Sequence, residues 1–295
     1  MCNLGYVSHD PGVIELEPQF KPRVWGGRRL AERFGLDASE PIGEAWMVFD
    51  ENVVASGPYA GRVLAEVLAE LGEAILGRGV VERYGRRLPL LVKYLDTARW
   101  LSVQVHPDDA YARAHEAGSG WLGKAEAWVV LEAEPDARIV YGVRRPVTRE
   151  ELRAAALDGS ILELLNFAPV KAGDVIYVPP GTIHALGPGL LVLEVQQRSD
   201  LTYRLYDYGR GRELHLEKAL DVARLEPTPL RTARLEPGDE IQSPYFQLRL
   251  CSEGVAPGGP ITTAVSAAVR GKGIFIPQNA HAKLNEGLWY CGTLP

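Results

Sequence analysis

The chain has 295 residues, of which 46% are hydrophobic, enough to bury a sizeable core in one large or two small domains. Its formal net charge of −6 at pH 7 argues against nucleic acid as a partner, and no segment approaches the roughly 20 apolar residues that a membrane-spanning helix needs. The three cysteines (Cys2, Cys251 and Cys291) are odd in number and lack metal-type spacing, and residues 1–5 lack the pattern of a secretory signal, so we expect a cytoplasmic protein.

The first third of the chain predicts a strand and then a helical segment. Residues 13–18 are predicted to form the opening strand. Residues 61–84 carry apolar side chains at helical spacing, with a glycine-rich break near Gly77. We expect a helical lobe at about residues 61–87 that serves as scaffold.

The middle of the chain is predicted to be mainly β. One helix is expected from Thr148, which precedes two acidic residues as a helix cap does. A hairpin is expected at 187–189, where the sequence is Gly-Pro-Gly. The predicted strands are 90–95, 101–106, 124–133, 138–141, 174–178, 184–186 and 190–196. Many short strands separated by turn signals indicate a barrel.

Polar residues share one face of several predicted strands. The alternation in 102–106 places Ser102, Gln104 and His106 together, and the same alternation places Lys124 and Glu126 together. His184 follows a strand and a tight Pro-Pro-Gly turn. Each fragment alone is typical of an ordinary structural residue. Together they favour a divalent-metal site, because polar side chains inside apolar strands are costly unless something uses them.

The segment that ends at His184 resembles the second cupin motif, since Gly173, Pro179, Gly181 and His184 match it at every spacing. The first cupin motif fits less well. The chain has Gln-x-His at 104–106, a helix-like insertion at 107–122, and only then a Glu at 126. This arrangement of the first motif resembles that of the type I mannose-6-phosphate isomerase (phosphomannose isomerase) family. Further segments similar to that family are 24–27, 43–46, 89–96 and 196–204, and the resemblance runs from about residue 13 to residue 223.

The resemblance implies a mainly β fold, a cupin (jelly-roll) barrel with helical insertions, and a metal held by four residues. The implied ligands are Gln104, His106, Glu126 and His184, and the implied metal is one zinc ion per chain, or another divalent ion. Two imidazoles, one amide oxygen and one carboxylate leave a divalent ion with a net charge of +1 and open positions, which is typical of a catalytic site.

The reaction implied is the interconversion of mannose 6-phosphate and fructose 6-phosphate through a cis-enediol. By the resemblance, the catalytic residues are Lys124, Asp200, Arg204 and Glu194. Lys124 would assist proton transfer, Arg204 with Asp200 would stabilise charge or assist ring opening, and Glu194 would be a base or a partner of a ligand histidine. Lys124 could instead be a surface lysine at the start of a strand. Arg204 and Asp200 could instead form a structural ion pair. The sequence does not identify which residue abstracts the proton.

The family match also implies that Lys93 and Ser102 bind the substrate phosphate. Lys93 could instead extend from a core strand to the surface, and Ser102 could satisfy a neighbouring backbone group. We interpret the arginines of the loop 209–212 as solvated. The partner we expect is a small-molecule sugar phosphate, bound by a monomer or small homo-oligomer without membrane or nucleic-acid contact.

The C-terminal part is predicted to be a second, smaller and degenerate cupin-like β-domain. Residues 271–281 repeat the glycine-to-proline spacing, but His281 arrives one residue early and Asn279 stands at the position that Gly181 occupies in the first motif. We therefore expect a catalytic domain at 1–229 and a structural β-domain at 230–295.

Two other functions remain open from sequence: a cupin isomerase for another hexose phosphate, and a non-catalytic, metal-dependent sugar-binding regulatory protein. A pure binder would not need Lys124, Asp200 and Arg204 beside the ligands, so their presence favours catalysis.

Overall fold

The structure is a computed structural model that describes residues 13–237, 239–251, 254–255, 262–266, 269–277, 283–284 and 288–292. The described part of the chain is mainly β, as predicted. Contacts divide the chain into two units. Within the described residues, unit 1 comprises 13–23, 28–94 and the segments from 234 onward, and unit 2 comprises 24–27 and 95–233. The chain passes from one unit to the other within three of its strands.

Unit 1 combines a six-stranded sheet with three helices. Its elements are β1 (Ile14–Leu16), the start of β2 (Gln19–Gly27), α1 (Arg29–Phe34), β3 (Ile42–Val48), a 3-10 turn (Gly57–Tyr59), α2 (Leu64–Leu76), α3 (Arg78–Tyr84), the start of β4 (Leu90–Thr97), and β14 to β20 at Glu240–Gln242, Gln247–Leu250, Gly254–Val255, Thr262–Ser266, Gly273–Ile276, Lys283–Leu284 and Leu288–Gly292. The sheet order is β1-β18-β17-β20-β15-β14, and β16 pairs with β19. The predicted helical segment is confirmed, with its break at Gly77.

Unit 2 carries two antiparallel sheets that position the candidate site. Its elements are β5 (Val103–Val105), α4 (Asp109–His115), a 3-10 turn (Ala117–Ser119), β6 (Glu126–Ala133), β7 (Arg138–Val143), α5 (Arg149–Asp158), a 3-10 turn (Ser160–Glu163), β8 (Leu165–Pro169), β9 (Asp174–Val178), β10 (His184–Leu186), β11 (Leu190–Gln197), β12 (Tyr203–Tyr206), α6 (Leu216–Val222) and β13 (Thr232–Arg234). The first sheet runs β12-β5-β10-β7-β8. The second contains β13-β9-β6-β11, followed by the unit 2 ends of β4 and β2.

Two helices of unit 2 begin at side-chain caps that the sequence signals. Thr148 accepts a hydrogen bond from the backbone N–H of Glu151, so the predicted cap of α5 is confirmed. Asp108 accepts one from the N–H of Tyr111 and starts α4 within the predicted insertion. The insertion between β5 and β6 is therefore helical, as expected.

The predicted hairpin at 187–189 is wrong. β10 pairs with β5 and β7, whereas β11 pairs with β6 in the other sheet, so the Gly-Pro-Gly segment carries the chain between sheets. Gly187 lies so close to the neighbouring backbone that an added Cβ would stand 2.3 Å from the carbonyl oxygen of Arg138. Gly187 is needed because two backbone segments approach closely there, and not because the chain forms a tight turn within one sheet.

The division of contacts differs from the predicted boundary between residues 229 and 230. β1 pairs with β18, with Ile14 opposite Phe275, so residues 14–16 belong with the C-terminal strands. His281 and Asn279 lie outside the described residues. Within the part of the chain that is described, no helix combines the length and the apolar character needed to cross a membrane.

Candidate metal centre and active site

Two histidines and a glutamate of unit 2 converge at one point. One ligand atom from each of His106, Glu126 and His184 lies within 4.8 Å of the others. Glu126 Oε1 is 3.1 Å from His184 Nε2, and Glu126 Oε2 is 3.4 Å from His106 Nε2. All three side chains are 1% exposed. The structure thus brings together three of the four predicted ligands from strands of both sheets.

The turn before β10 places His184. Gly181 has φ +84°, a left-handed conformation that favours glycine, and its N–H donates to the carbonyl oxygen of His106 at 2.9 Å. A Cβ at Gly181 would lie 2.9 Å from the backbone oxygen of Val222. The Pro-Pro-Gly turn therefore ties the backbone of one histidine to the segment that carries the other.

Backbone carbonyl groups fix the tautomer of both histidines. Nδ1 of His184 lies 2.9 Å from the oxygen of Thr182, and Nδ1 of His106 lies 2.8 Å from the oxygen of Leu201. Because a carbonyl only accepts, each Nδ1 must carry the hydrogen and donate. The Nε2 lone pairs then face Glu126, which is the arrangement that metal-binding histidines use.

The fourth predicted ligand, Gln104, lies beside the cluster. Gln104 is directly opposite His184 in the β5–β10 pair, and its amide nitrogen is 3.3 Å from His184 Nε2. The hydroxyl of Ser102 donates to the amide oxygen of Gln104 at 3.3 Å. A half-turn of the amide exchanges its oxygen and nitrogen, so that the oxygen faces the two imidazoles.

The Glu126 carboxylate is buried without a well-formed hydrogen bond. In the part of the chain that the structure describes, neither oxygen accepts one, although Lys124 Nζ lies 3.1 Å from Oε2. Burial raises the pKa of Glu126, but its neighbours, the Lys124 ammonium above all and then His184 and His106, outweigh burial and hold the pKa well below its usual range. A buried, ionised carboxylate between two imidazole lone pairs is a donor set that fits a divalent cation.

His106 is held neutral by its surroundings. Burial, and then the charge of Lys124, lower the pKa of His106 to about 3, against the opposing effect of Glu126. Lys124 Nζ is 3.2 Å from His106 Nε2, and the lysine side chain is itself buried. The surface-lysine alternative for Lys124 is therefore wrong, since its ammonium group lies within the cluster.

Arg204 shares a sheet face with the cluster. It stands directly opposite Gln104 in the antiparallel β12–β5 pair, and opposite residues of such a pair lie on the same face. Its Nη1 donates to the backbone oxygen of Glu213 at 2.7 Å. Burial, and then the charge of Arg212, lower its pKa. The predicted partner Asp200 is exposed and precedes β12, so the guanidinium is held by a backbone carbonyl instead.

Glu194 is buried on β11, opposite Trp128 on β6. Its Oε2 accepts a hydrogen bond from the indole Nε1 of Trp128 at 3.0 Å. The Nδ1 atoms of both predicted ligand histidines, His106 and His184, are occupied by backbone carbonyls. The predicted role as a direct partner of a ligand histidine is therefore not the one the geometry supports.

Lys93 lies in unit 1 and is buried at 8% exposure, so the alternative in which it extends to the surface is wrong. Its positive charge acts on Glu44, whose carboxylate accepts hydrogen bonds from Arg23 Nε at 3.0 Å and Trp46 Nε1 at 2.6 Å. Ser102 donates to a side chain, Gln104, rather than to a backbone group.

The sequence interpretation missed several residues that shape the site. Alternation from Glu126 places Trp128 on the same face, and that signal was available. Thr182 and Leu201 act through their carbonyls, which no residue type reveals. The loop 209–212, interpreted as solvated, is instead anchored, because both Arg210 and Arg212 bind the buried carboxylate of Asp207.

A mainly β fold with a buried His-Glu-His cluster and an adjacent lysine defines a candidate metal-dependent enzyme. Residues 13–120 match the family model for the catalytic domain of phosphomannose isomerase type I. The chain is 43% identical over 248 residues to a mannose-6-phosphate isomerase of Streptococcus mutans, which covers 78% of this chain and 76% of that protein. It is 44% identical over 225 residues to mannose-6-phosphate isomerase ManA of Bacillus subtilis, with 73% and 69% covered.

Solved structures of mannose 6-phosphate isomerases are also similar to this chain. A Bacillus subtilis mannose 6-phosphate isomerase is similar with a TM-score of 0.77 and 32% identity, covering 95% of this chain and 99% of that one. A mannose 6-phosphate isomerase solved with zinc bound shares the fold, with a TM-score of 0.74, 19% identity, and coverage of 96% and 100%. The chain belongs to the type I mannose-6-phosphate isomerase family. It is an isomerase that interconverts mannose 6-phosphate and fructose 6-phosphate, and the two alternative functions are not favoured.

Proposed function

We propose that the isomerisation takes place at one divalent metal ion per chain, zinc, held by His106, His184, Glu126 and Gln104. The observation that carries the proposal is the buried carboxylate of Glu126, which accepts no well-formed hydrogen bond from the described residues and faces two imidazole Nε2 atoms. The similar fold solved with zinc bound supports the choice of metal. When bound, the ion supplies positive charge that stabilises the negative charge developing on the sugar oxygens.

Lys124 is the residue to which we assign proton transfer. Its Nζ lies 3.1 Å from Glu126 Oε2 and 3.2 Å from His106 Nε2, so it is within reach of a sugar seated at the cluster. Glu194, the other candidate base, is hydrogen-bonded to the indole of Trp128. This engagement favours Lys124 over Glu194 for the proton.

Arg204 and Asp200 are proposed to act on the sugar rather than on the metal ligands. Arg204 lies on the face that Gln104 shares, and its Nε is buried without a partner among the described residues. A guanidinium in that position stabilises an oxygen that gains negative charge. The exposed carboxylate of Asp200 is proposed to assist ring opening.

Lys93 and Ser102 are proposed to bind the phosphate. Ser102 supports this role because its hydroxyl lies beside Gln104, next to the cluster. Lys93 supports it because it is a buried cation. We further propose that unit 2 forms a closed cupin barrel, that residues 230–295 have a structural role, and that the protein is a cytoplasmic monomer or small homo-oligomer.

A coupled assay for fructose 6-phosphate tests the proposal. With mannose 6-phosphate as substrate, we expect turnover that chelation removes and added zinc restores. Glucose 6-phosphate should be a poor substrate in the same assay. Full activity in a preparation shown by elemental analysis to be metal-free would contradict the proposal.

A further inference from the structure

Trp128 lies against a proposed metal ligand inside unit 2. It follows Glu126 by two residues on β6, so both side chains are on the same face of the strand. Trp128 is 1% exposed, and its ring contacts His184 edge-on, with centroids 5.5 Å apart and an interplanar angle of 68°. An edge-on aromatic contact at this distance is attractive and restricts the rotation of both rings.

Glu194 holds the indole in place from the opposite strand. Trp128 and Glu194 face each other in the β6–β11 pair, and the indole Nε1 donates to Glu194 Oε2 at 3.0 Å. A hydrogen bond from a neutral donor to a carboxylate is stronger than one between neutral groups. Because both side chains are buried, rotating the indole away would leave its N–H without this acceptor.

We propose that Trp128, anchored by Glu194, is a positioning residue for His184. The imidazole of His184 is fixed at Nδ1 by the carbonyl of Thr182, and its ring packs in an edge-to-face contact with Trp128. Together these contacts keep Nε2 directed at Glu126. The proposal rests on the metal centre proposed above, and it assigns Glu194 a structural link to that centre rather than the role of proton-abstracting base.

The test is zinc retention by the holoenzyme. Trp128→Phe removes the indole N–H and part of the ring, and we expect its zinc, in competition with a chelator of known affinity, to be bound about tenfold more weakly. Trp100→Phe is the matched control. Trp100 also makes an edge-on contact at 5.5 Å, but with Phe167, so its substitution should leave zinc affinity unchanged.

Tryptophan emission gives a readout that a general loss of stability would not move. Removing zinc from the wild-type protein should change the emission, because Trp128 touches a proposed ligand, His184. We expect Trp128→Phe to lose that change and Trp100→Phe to keep it. Unchanged zinc affinity and an unchanged emission difference in folded Trp128→Phe would overturn the proposal.

A pair of substitutions at Glu194 decides the matter if Trp128→Phe does not fold. Glu194→Gln keeps an oxygen that accepts from the indole, so zinc affinity should stay near that of the wild type, whereas Glu194→Ala should weaken it about tenfold. Equal zinc affinity in the two variants would overturn the role of the Trp128–Glu194 pair. A wild-type protein that binds no zinc would instead overturn the metal centre itself, and this inference with it.

Discussion

The ammonium group of Lys124 lies 3.1 Å from the Glu126 carboxylate, and both side chains are almost fully buried. Two charges are stable in such surroundings only when they are paired, and removing one partner is costly. The pairing also places the lysine nitrogen next to His106, at 3.2 Å from its Nε2. Lys124 is therefore held at the cluster by the same carboxylate that we propose as a metal ligand.

Lys124→Met should lower kcat by at least about 100-fold, the usual contribution of a positioned acid or base, while zinc remains bound. Steady-state assays with mannose 6-phosphate and elemental analysis of the same preparations provide the check. The control is Lys171→Met, because Lys171 is exposed and lies in the same unit. A Lys124→Met enzyme that keeps most of its kcat would exclude the assigned role.

Substitutions at ligands and at Arg204 should have different effects on metal content. His184→Ala and Glu126→Ala should abolish zinc binding, because each removes a donor of the cluster. Arg204→Ala should keep zinc and lower kcat by about 100-fold, as the loss of one charge-stabilising donor does. Loss of zinc in Arg204→Ala would show that its position opposite Gln104 serves the ligand set rather than the substrate.

Gly181→Ala should destabilise the protein through its backbone. The position has φ +84°, and an added Cβ would meet the carbonyl oxygen of Val222 at 2.9 Å. Gly211→Ala is the control, because Gly211 has φ +79° with open space around its Cβ position. Both substitutions should lower the free energy of unfolding, as measured by denaturant titration. The loss should be about 1–3 kcal/mol larger for Gly181→Ala than for Gly211→Ala. Equal losses of unfolding free energy in the two variants would contradict a steric contact between the added Cβ at residue 181 and the carbonyl oxygen of Val222.

Glu44 should make stability depend on acid pH. Burial opposes its ionisation, but Lys93 and Arg23 outweigh burial and lower its pKa from 4.5 to about 2. The folded pKa is below the unfolded one, so the stabilisation is complete above about pH 4.5 and is lost as the pH falls toward 2.

Glu44→Gln should therefore cost on the order of 3 kcal/mol of unfolding free energy at pH 7 and progressively less below pH 4.5. Unfolding titrations at several pH values measure the difference between variant and wild type. Glu40→Gln, which changes an exposed carboxylate in the same unit, should show no such trend. A difference between Glu44→Gln and wild type that does not vary with pH would contradict the assigned cause.

Residue patterns predicted the chemistry of the site better than the connections between its strands. Alternation placed Gln104 with His106 and Lys124 with Glu126, since period two is a property of every strand. The Gly-Pro-Gly segment at 187–189 was misassigned because glycine marks close backbone approach as well as tight turns, and only the sheet pairing distinguishes them. The carbonyls of Thr182 and Leu201 were beyond prediction, since any residue supplies one.

The pairing of β1 with β18 was also beyond local patterns. Alternation predicts that residues 13–18 form a strand, but it carries no information about which distant segment provides the partner. The contact between residues 14–16 and β18 depends on tertiary packing. For that reason the sequence placed the domain boundary at one point along the chain, whereas the contacts divide it at several.

The central claim is that Glu126, His106 and His184 hold the metal on which turnover depends. The most direct measurement is mannose 6-phosphate isomerase activity followed during chelation, together with zinc content and circular dichroism of the same sample. We predict that activity falls in proportion to zinc, that the fold persists, and that one zinc ion per chain restores the rate. Undiminished activity after complete removal of zinc and other divalent metals would contradict the account.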